Sequence, residues 1–213
     1  MKAIIMAAGS HRKFDRKTIK INNETLIDRL VRQLFKKGII NIQITAAYQG
    51  QHSDIKNIKE IINPLTGNNL GCLYGIKDYA ADFYFYSDVF YSNDAIDLII
   101  HGNTTYYGRV KSTPLKSYGE FFAFKQDPEM WKWLELCWSA YQDKKIDRLW
   151  SWDLYAYHTK KWTIDESPIP RKRLKREQYL IVDNFTEIND WTDDFDSQED
   201  LDKWVNFYRG LHD

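Results

Sequence analysis

The 213-residue sequence predicts an α/β fold, a mixed but mostly parallel sheet flanked by helices. Two observations predict it. Strand-like and helix-like patterns alternate through the first hundred residues, the signature of βαβ units. The chain also opens on an apolar run, Ala3 to Ala8, that breaks at Gly9 into a small-residue turn and then five basic side chains, as a buried strand does when it delivers a loop to a sheet edge.

Taken in order, Lys2 to Met6 reads as the first strand. Leu26, Leu30, Leu34 and Phe35 recur at helical spacing from Thr25 to Lys37, and Gly38 ends that helix. Ile40, Ile42 and Ile44 alternate as a second strand. Residues 54 to 59 suggest a short helix, KEIIN a third strand, and residues 69 to 79 a helix carrying Leu70, Leu73 and Ile76. DFYFYSDVF, 82 to 90, is a buried strand running into an acidic loop, followed by a helix over 93 to 100. Further on, 104 to 110 and 119 to 124 read as strands, 128 to 141 as a Trp-rich helix, 147 to 157 as another, and YLIV at 179 to 182 as a strand. A last helix, 197 to 208, opens with Ser197 and carries Asp200 three residues on, a start that resembles a capping box.

Composition narrows the function classes. Thirty basic and thirty acidic residues leave no net charge, so no global field draws the chain to nucleic acid or membrane, and any anion site is local. Cys72 and Cys137 lie far apart without metal-ligand spacing and read as reduced thiols of a cytoplasmic protein. No run is long enough to span a membrane. The one charge run, RKRLKRE at 171 to 177, reads as a solvated loop, with an anionic partner or, together with Trp162 and Tyr179, nucleic acid as the alternative.

Ligands of open parallel sheets bind at the carboxyl ends of the strands, and three loops there carry the candidate residues. In the first, Ala7, Ala8, Gly9 and Ser10 lead into His11, Arg12, Lys13, Arg16 and Lys17. Gly9 permits close backbone approach, and the cations supply charge-assisted donors to phosphate oxygens; a plain turn is the competing reading. In the second, Asp88 follows an apolar strand, and a buried carboxylate there needs a cation, a hydrogen bond or water to face. Mg²⁺ fits, since it takes one or two carboxylates plus phosphate oxygens. In the third, TDDFDSQEDL, Asp194 and Asp196 precede the last helix, and one of them is a candidate second ligand.

In this order the parts resemble the sugar-phosphate and choline-phosphate nucleotidyltransferases. KAIIMAAGS and Lys17 resemble that family's strand, Ala-Ala-Gly-x-Gly-x-x-Arg and Pro-Lys opening. TGNNLGCLYGI is similar to the Asn-Asn-x-x-Ser-Leu-Tyr element of the choline-phosphate branch, with Cys72 in place of Ser. SDV at 87 to 89 matches its metal-binding Asp, and DFDSQEDL resembles its closing element. The second glycine of the loop is missing and no Pro precedes Lys17. The resemblance implies one domain over residues 1–213 with a Rossmann-like GT-A fold, residues 1–100 forming the nucleotide half and 101–213 the acceptor half. It implies Mg²⁺ held by Asp88 and Asp196, and a catalytic set of Lys17, Arg12 and Asp88. A nucleoside triphosphate, CTP before UTP, would rest on Ala7, Ala8, Gly9, Ser10, Arg12, Lys13 and Asn69. The second substrate would be a small phosphorylated acceptor, met by Glu120, Trp150, Trp152 and Asp153. Of these, Glu120 suits a sugar hydroxyl. The aromatics Trp150, Trp152, Tyr155 and Tyr157 suit either a cage for a quaternary ammonium, with Asp153 as counter-charge, or a helix core. A glycosyltransferase of the same fold and an inactive homologue are the alternatives.

Overall fold

A computed structural model describes residues 1–8, 19–65, 69–110, 119–146, 150–159 and 183–209, the side chains of Asn69 and Arg209 excepted. Eleven strands and six helices follow along the described chain: β1 (Lys2–Met6), β2 (Lys20–Ile21), β3 (Glu24–Thr25), α1 (Leu26–Lys36), β4 (Asn41–Ala46), β5 (Lys59–Ile62), α2 (Asn69–Tyr74), β6 (Phe83–Tyr86), β7 (Val89–Phe90), α3 (Asn93–His101), β8 (Tyr106–Arg109), β9 (Glu120–Lys125), α4 (Pro128–Gln142), α5 (Ser151–His158), β10 (Phe185–Glu187), β11 (Asp193–Asp194) and α6 (Gln198–Arg209).

Seven strands form one sheet in the order β10-β8-β9-β6-β1-β4-β5. β5, β4, β1 and β6 are mutually parallel, β9 runs antiparallel between β6 and β8, and β10 is parallel to β8. Because side chains alternate across a strand, each central strand feeds two cores. Ala3, Ile5, Phe83 and Phe85 point to one face and meet Ile27, Leu30 and Leu34 of α1 and Ile96 and Ile99 of α3. Ile4, Met6 and Tyr84 point to the other and meet Leu70 and Leu73 of α2, Met130, Leu134 and Cys137 of α4, and Leu154 and Tyr155 of α5. The result is a sheet flanked by helices on both faces, as the sequence predicts.

Several expectations need correction. Residues 51–57 form turns rather than a helix: Asn57 is left-handed (φ 62°), and the Glu60 carboxylate accepts the Gly50 and His52 amides, holding the loop open. Ile40 is exposed and lies before β4, whose buried isoleucines are Ile42 and Ile44. The helix starting at Asn69 stops at Tyr74, and the 82 to 90 run divides into β6 and β7 around a turn at Ser87 and Asp88. YLIV and RKRLKRE lie outside the described residues.

A third, smaller core positions the site. Ile19, Leu26, Phe90, Phe195, Leu201 and Trp204 pack together, laying α6 against β7, the start of α1, Ile19 and Phe195, the residue after β11. Ser197 accepts the Asp200 amide at the start of α6, as its spacing predicts.

Candidate active site

The carboxyl ends of β1 and β6, the start of the antiparallel β9 and the end of β8 all fall at one edge of the sheet. This is a consequence of strand direction alone. Ala7 and Ala8 leave β1 there, both buried, and their amides donate to the Thr45 hydroxyl of β4 at 2.7 and 3.0 Å. Those two amides are therefore committed within the fold. Residues 9–18, with Gly9, Ser10, Arg12, Lys13 and Lys17, lie outside the described residues.

Asp88 occupies the turn after β6. β7 continues from it and pairs antiparallel with β11, matching Val89 with Asp194 and Phe90 with Asp193, and the Phe195 amide donates to the Asp88 carbonyl at 3.1 Å. The chain thus returns beside Asp88 after a hundred residues, as the metal-site expectation requires. Glu120, at the start of β9, completes the convergence. Carboxylate oxygens of Glu120, Asp194 and Asp196 lie within 4.8 Å of one another, the first partly buried, the second buried and the third exposed. Asp88 is adjacent through the backbone and is not one of these three; Asp194, left open in the sequence, is.

The field of these acids reaches their neighbours. Burial pushes the Cys72 thiol of α2 up to about 11, and the Asp88 charge adds to the rise. Burial raises the Tyr86 phenol, with Asp88 and Glu120 contributing, and the Tyr91 phenol, with Asp88 and Asp194 contributing. Both phenols stay protonated across the physiological range, and Tyr91 donates to the carbonyls of Tyr86 and Phe122. The Tyr86 hydroxyl pairs with Ser151 at 2.6 Å, which brings the start of α5 to the same edge as Asp88.

At that start Trp150 is 39% exposed. Trp152 instead stacks on Phe185, centroids 5.8 Å apart, and meets Phe121 edge-on at 4.3 Å. Asp153 is fully buried and its carboxylate accepts the Trp150 amide at 3.0 Å, closing the first turn of α5. Tyr155 and Tyr157 are buried in the core. Asn69 opens α2, and Asn63 positions that helix: its side chain donates to the Cys72 carbonyl at 2.7 Å and accepts the Leu65 amide at 2.9 Å.

Sequence reasoning missed how the 190–196 segment is fastened. Arg109, buried at the end of β8, donates to the Thr192 carbonyl at 3.1 Å and to the Asp193 carboxylate at 2.8 Å. Ser92 donates its amide to the Thr192 hydroxyl at 3.0 Å and its hydroxyl to Asp190. A charge ending the apolar TTYYGRV strand carried the same signal as Asp88 ending YFYSD.

The fold and this edge place the molecule among nucleotidyltransferase-type folds. Three solved structures cover nearly the whole chain: CTP:phosphocholine cytidylyltransferase from Streptococcus pneumoniae (TM-score 0.64, 18% identity, 97% of this chain and 98% of that one); a Bacillus anthracis protein assigned as a glucose-1-phosphate thymidylyltransferase, in complex with sucrose (0.63, 11%, 98% and 95%); and 4-diphosphocytidyl-2C-methyl-D-erythritol synthase from Anaerococcus prevotii (0.60, 10%, 98% and 95%). No protein-family model and no curated protein matches the sequence. The chain shares the nucleotidyltransferase fold with these structures at 10–18% sequence identity.

Proposed function

We propose that the protein is a metal-dependent nucleotidyltransferase of the cytoplasm, which joins a nucleoside monophosphate, CMP first, to a small phosphorylated acceptor and releases pyrophosphate. One observation carries the reading: the end of β1 at Ala7 and Ala8, the Asp88 turn after β6 and the Glu120, Asp194 and Asp196 carboxylates meet at the edge where such a fold binds its ligand.

The reaction brings two anions together, so the site must offset their repulsion and the charge that develops on the α-phosphate. An all-oxygen donor set of clustered carboxylates fits Mg²⁺. Asp196 and Asp88 would hold it, with Glu120 and Asp194 beside them, and the ion supplies charge neutralisation at the α-phosphate. Arg12 and Lys13 bind the triphosphate, and Lys17 neutralises charge at the transferred phosphorus. The base rests between the Ala7–Gly9 turn and Asn69. The acceptor enters by the exposed Trp150, where Ser151 is tied to Tyr86, with Glu120, Trp152 and Asp153 behind it. Its phosphate monoester is already ionised, so no general base is required. Residues 1–100 supply the nucleotide half and 101–213 the acceptor half.

Thermal shifts with CTP, UTP, ATP, GTP and nucleotide-sugars, each with and without Mg²⁺, test the reading. It expects a rise with one triphosphate that needs the metal; a ligand at 100 times its Kd adds about 2.7 kcal/mol. A shift with nucleotide-sugars alone, or with none of these ligands, contradicts it. The responding triphosphate is then offered phosphocholine and sugar phosphates, and pyrophosphate is measured.

A further inference from the structure

We infer that the buried pair of Arg109 and Asp193 is a positioning device for the candidate metal site: it sets the reach of Asp194 and Asp196 toward Glu120 without touching the ion. The inference rests on the metal-dependent reading above. Arg109 joins both sides of the cluster, one through its backbone and the other through its guanidinium. Its strand partner across the β8–β9 ladder is Glu120 itself, and its nitrogens grip Thr192 and Asp193 in the returning segment. The Asp193 oxygen that takes Arg109 also accepts the Asp194 amide at 3.0 Å, so the backbone of a cluster residue hangs on the same pair.

The ladder here also leaves no room for a side chain at two positions. A Cβ on Gly108 would lie 2.2 Å from the Glu120 carbonyl, and one on Gly119 would lie 2.2 Å from the Arg109 carbonyl. Stability alone does not account for the pair. Desolvating two ions largely cancels their attraction, and the Arg109 Nε–H has no acceptor among the described residues. What the pair does supply is a fixed geometry.

The test is a titration of Mn²⁺ followed by its free-ion EPR signal, on the full chain, beside unfolding midpoints. Arg109→Met and Asp193→Asn are expected to weaken Mn²⁺ binding at least tenfold, Arg109→Lys less than Arg109→Met, and Asp194→Asn to lose the site, which assigns the bound ion to this cluster. The double variant Arg109→Met/Asp193→Leu is decisive, because an apolar pair recovers stability without recovering the hydrogen bond to the Asp194 amide. A wild-type midpoint with weak Mn²⁺ binding supports positioning; wild-type midpoint with wild-type affinity overturns it, as does a wild-type affinity in Arg109→Met. If the parent chain binds no Mn²⁺ at millimolar concentration, the inference falls with the metal site. If the double variant overturns it while the parent still releases pyrophosphate only with Mg²⁺, the proposed function stands alone.

Discussion

Single residues fix the edge on which the chemistry is proposed, and their replacement separates structure from reaction. Asn63 is one such residue. It ties the end of β5 to α2, and Gly75 lies so close that an added Cβ would sit 2.0 Å from its Oδ1. Gly75→Ala must displace that amide; we expect a loss of about 1–3 kcal/mol by denaturant unfolding, in the range of an overpacked core. Far from the site, His158 bonds the Tyr106 hydroxyl through Nδ1 at 2.9 Å and stands 3.6 Å from Asp127. Burial holds its pKa below the ordinary histidine value, with Asp127 opposing. The folded state therefore prefers the neutral ring. The stability this contributes is complete above pH of about 6.5 and is lost as pH falls through the lowered value. Asp127 remains below the usual carboxylate range despite burial, through Thr105 and His158, so its own loss comes at lower pH. Unfolding midpoints should drop from pH 7.5 to 5, and His158→Gln should flatten that drop; an unchanged slope would remove His158 as the cause.

At the level of elements, the first half of the fold was readable because its signals are local. β1, α1, β4, β6 and α3 announce themselves by periodicity, the Thr25 and Ser92 caps and Gly38. Other elements depend on partners distant in sequence. β11 is two acidic residues whose strand character exists only against Val89 and Phe90, and no pattern in TDDFD shows that pairing. The β2–β3 hairpin turns on Asn22 and Asn23, both left-handed at φ 54° and 64°, a turn signal present in the sequence. At the site, Asp88 and Asp196 were legible as acids interrupting apolar or capping patterns, whereas Arg109 and Asp193 required the fold. The end of β1 gives an element-scale prediction. Thr45→Val leaves the Ala7 and Ala8 amides without their acceptor in a buried position, at about 1–3 kcal/mol for each. Thr45→Ser keeps the oxygen and should stay near the parent, as chemical denaturation would show.

For the whole molecule, the order of strands does the assembling. A parallel half delivers the end of β1 and the turn after β6, an inserted antiparallel strand delivers Glu120, and a C-terminal return sealed by Trp204 delivers Asp194 and Asp196. No helix among the described residues is long and apolar enough to cross a membrane. Under the proposed function, attack falls at the α-phosphorus and the β- and γ-phosphates leave together. The most direct measurement is the fate of labelled phosphorus when the chain turns over CTP with Mg²⁺ and a phosphorylated acceptor. The account predicts that α-label passes into the acceptor product and γ-label into pyrophosphate, and that Lys17→Ala and Asp196→Asn each lower the rate roughly a hundredfold or more. Label appearing as inorganic phosphate, or turnover undiminished in both variants, would contradict it.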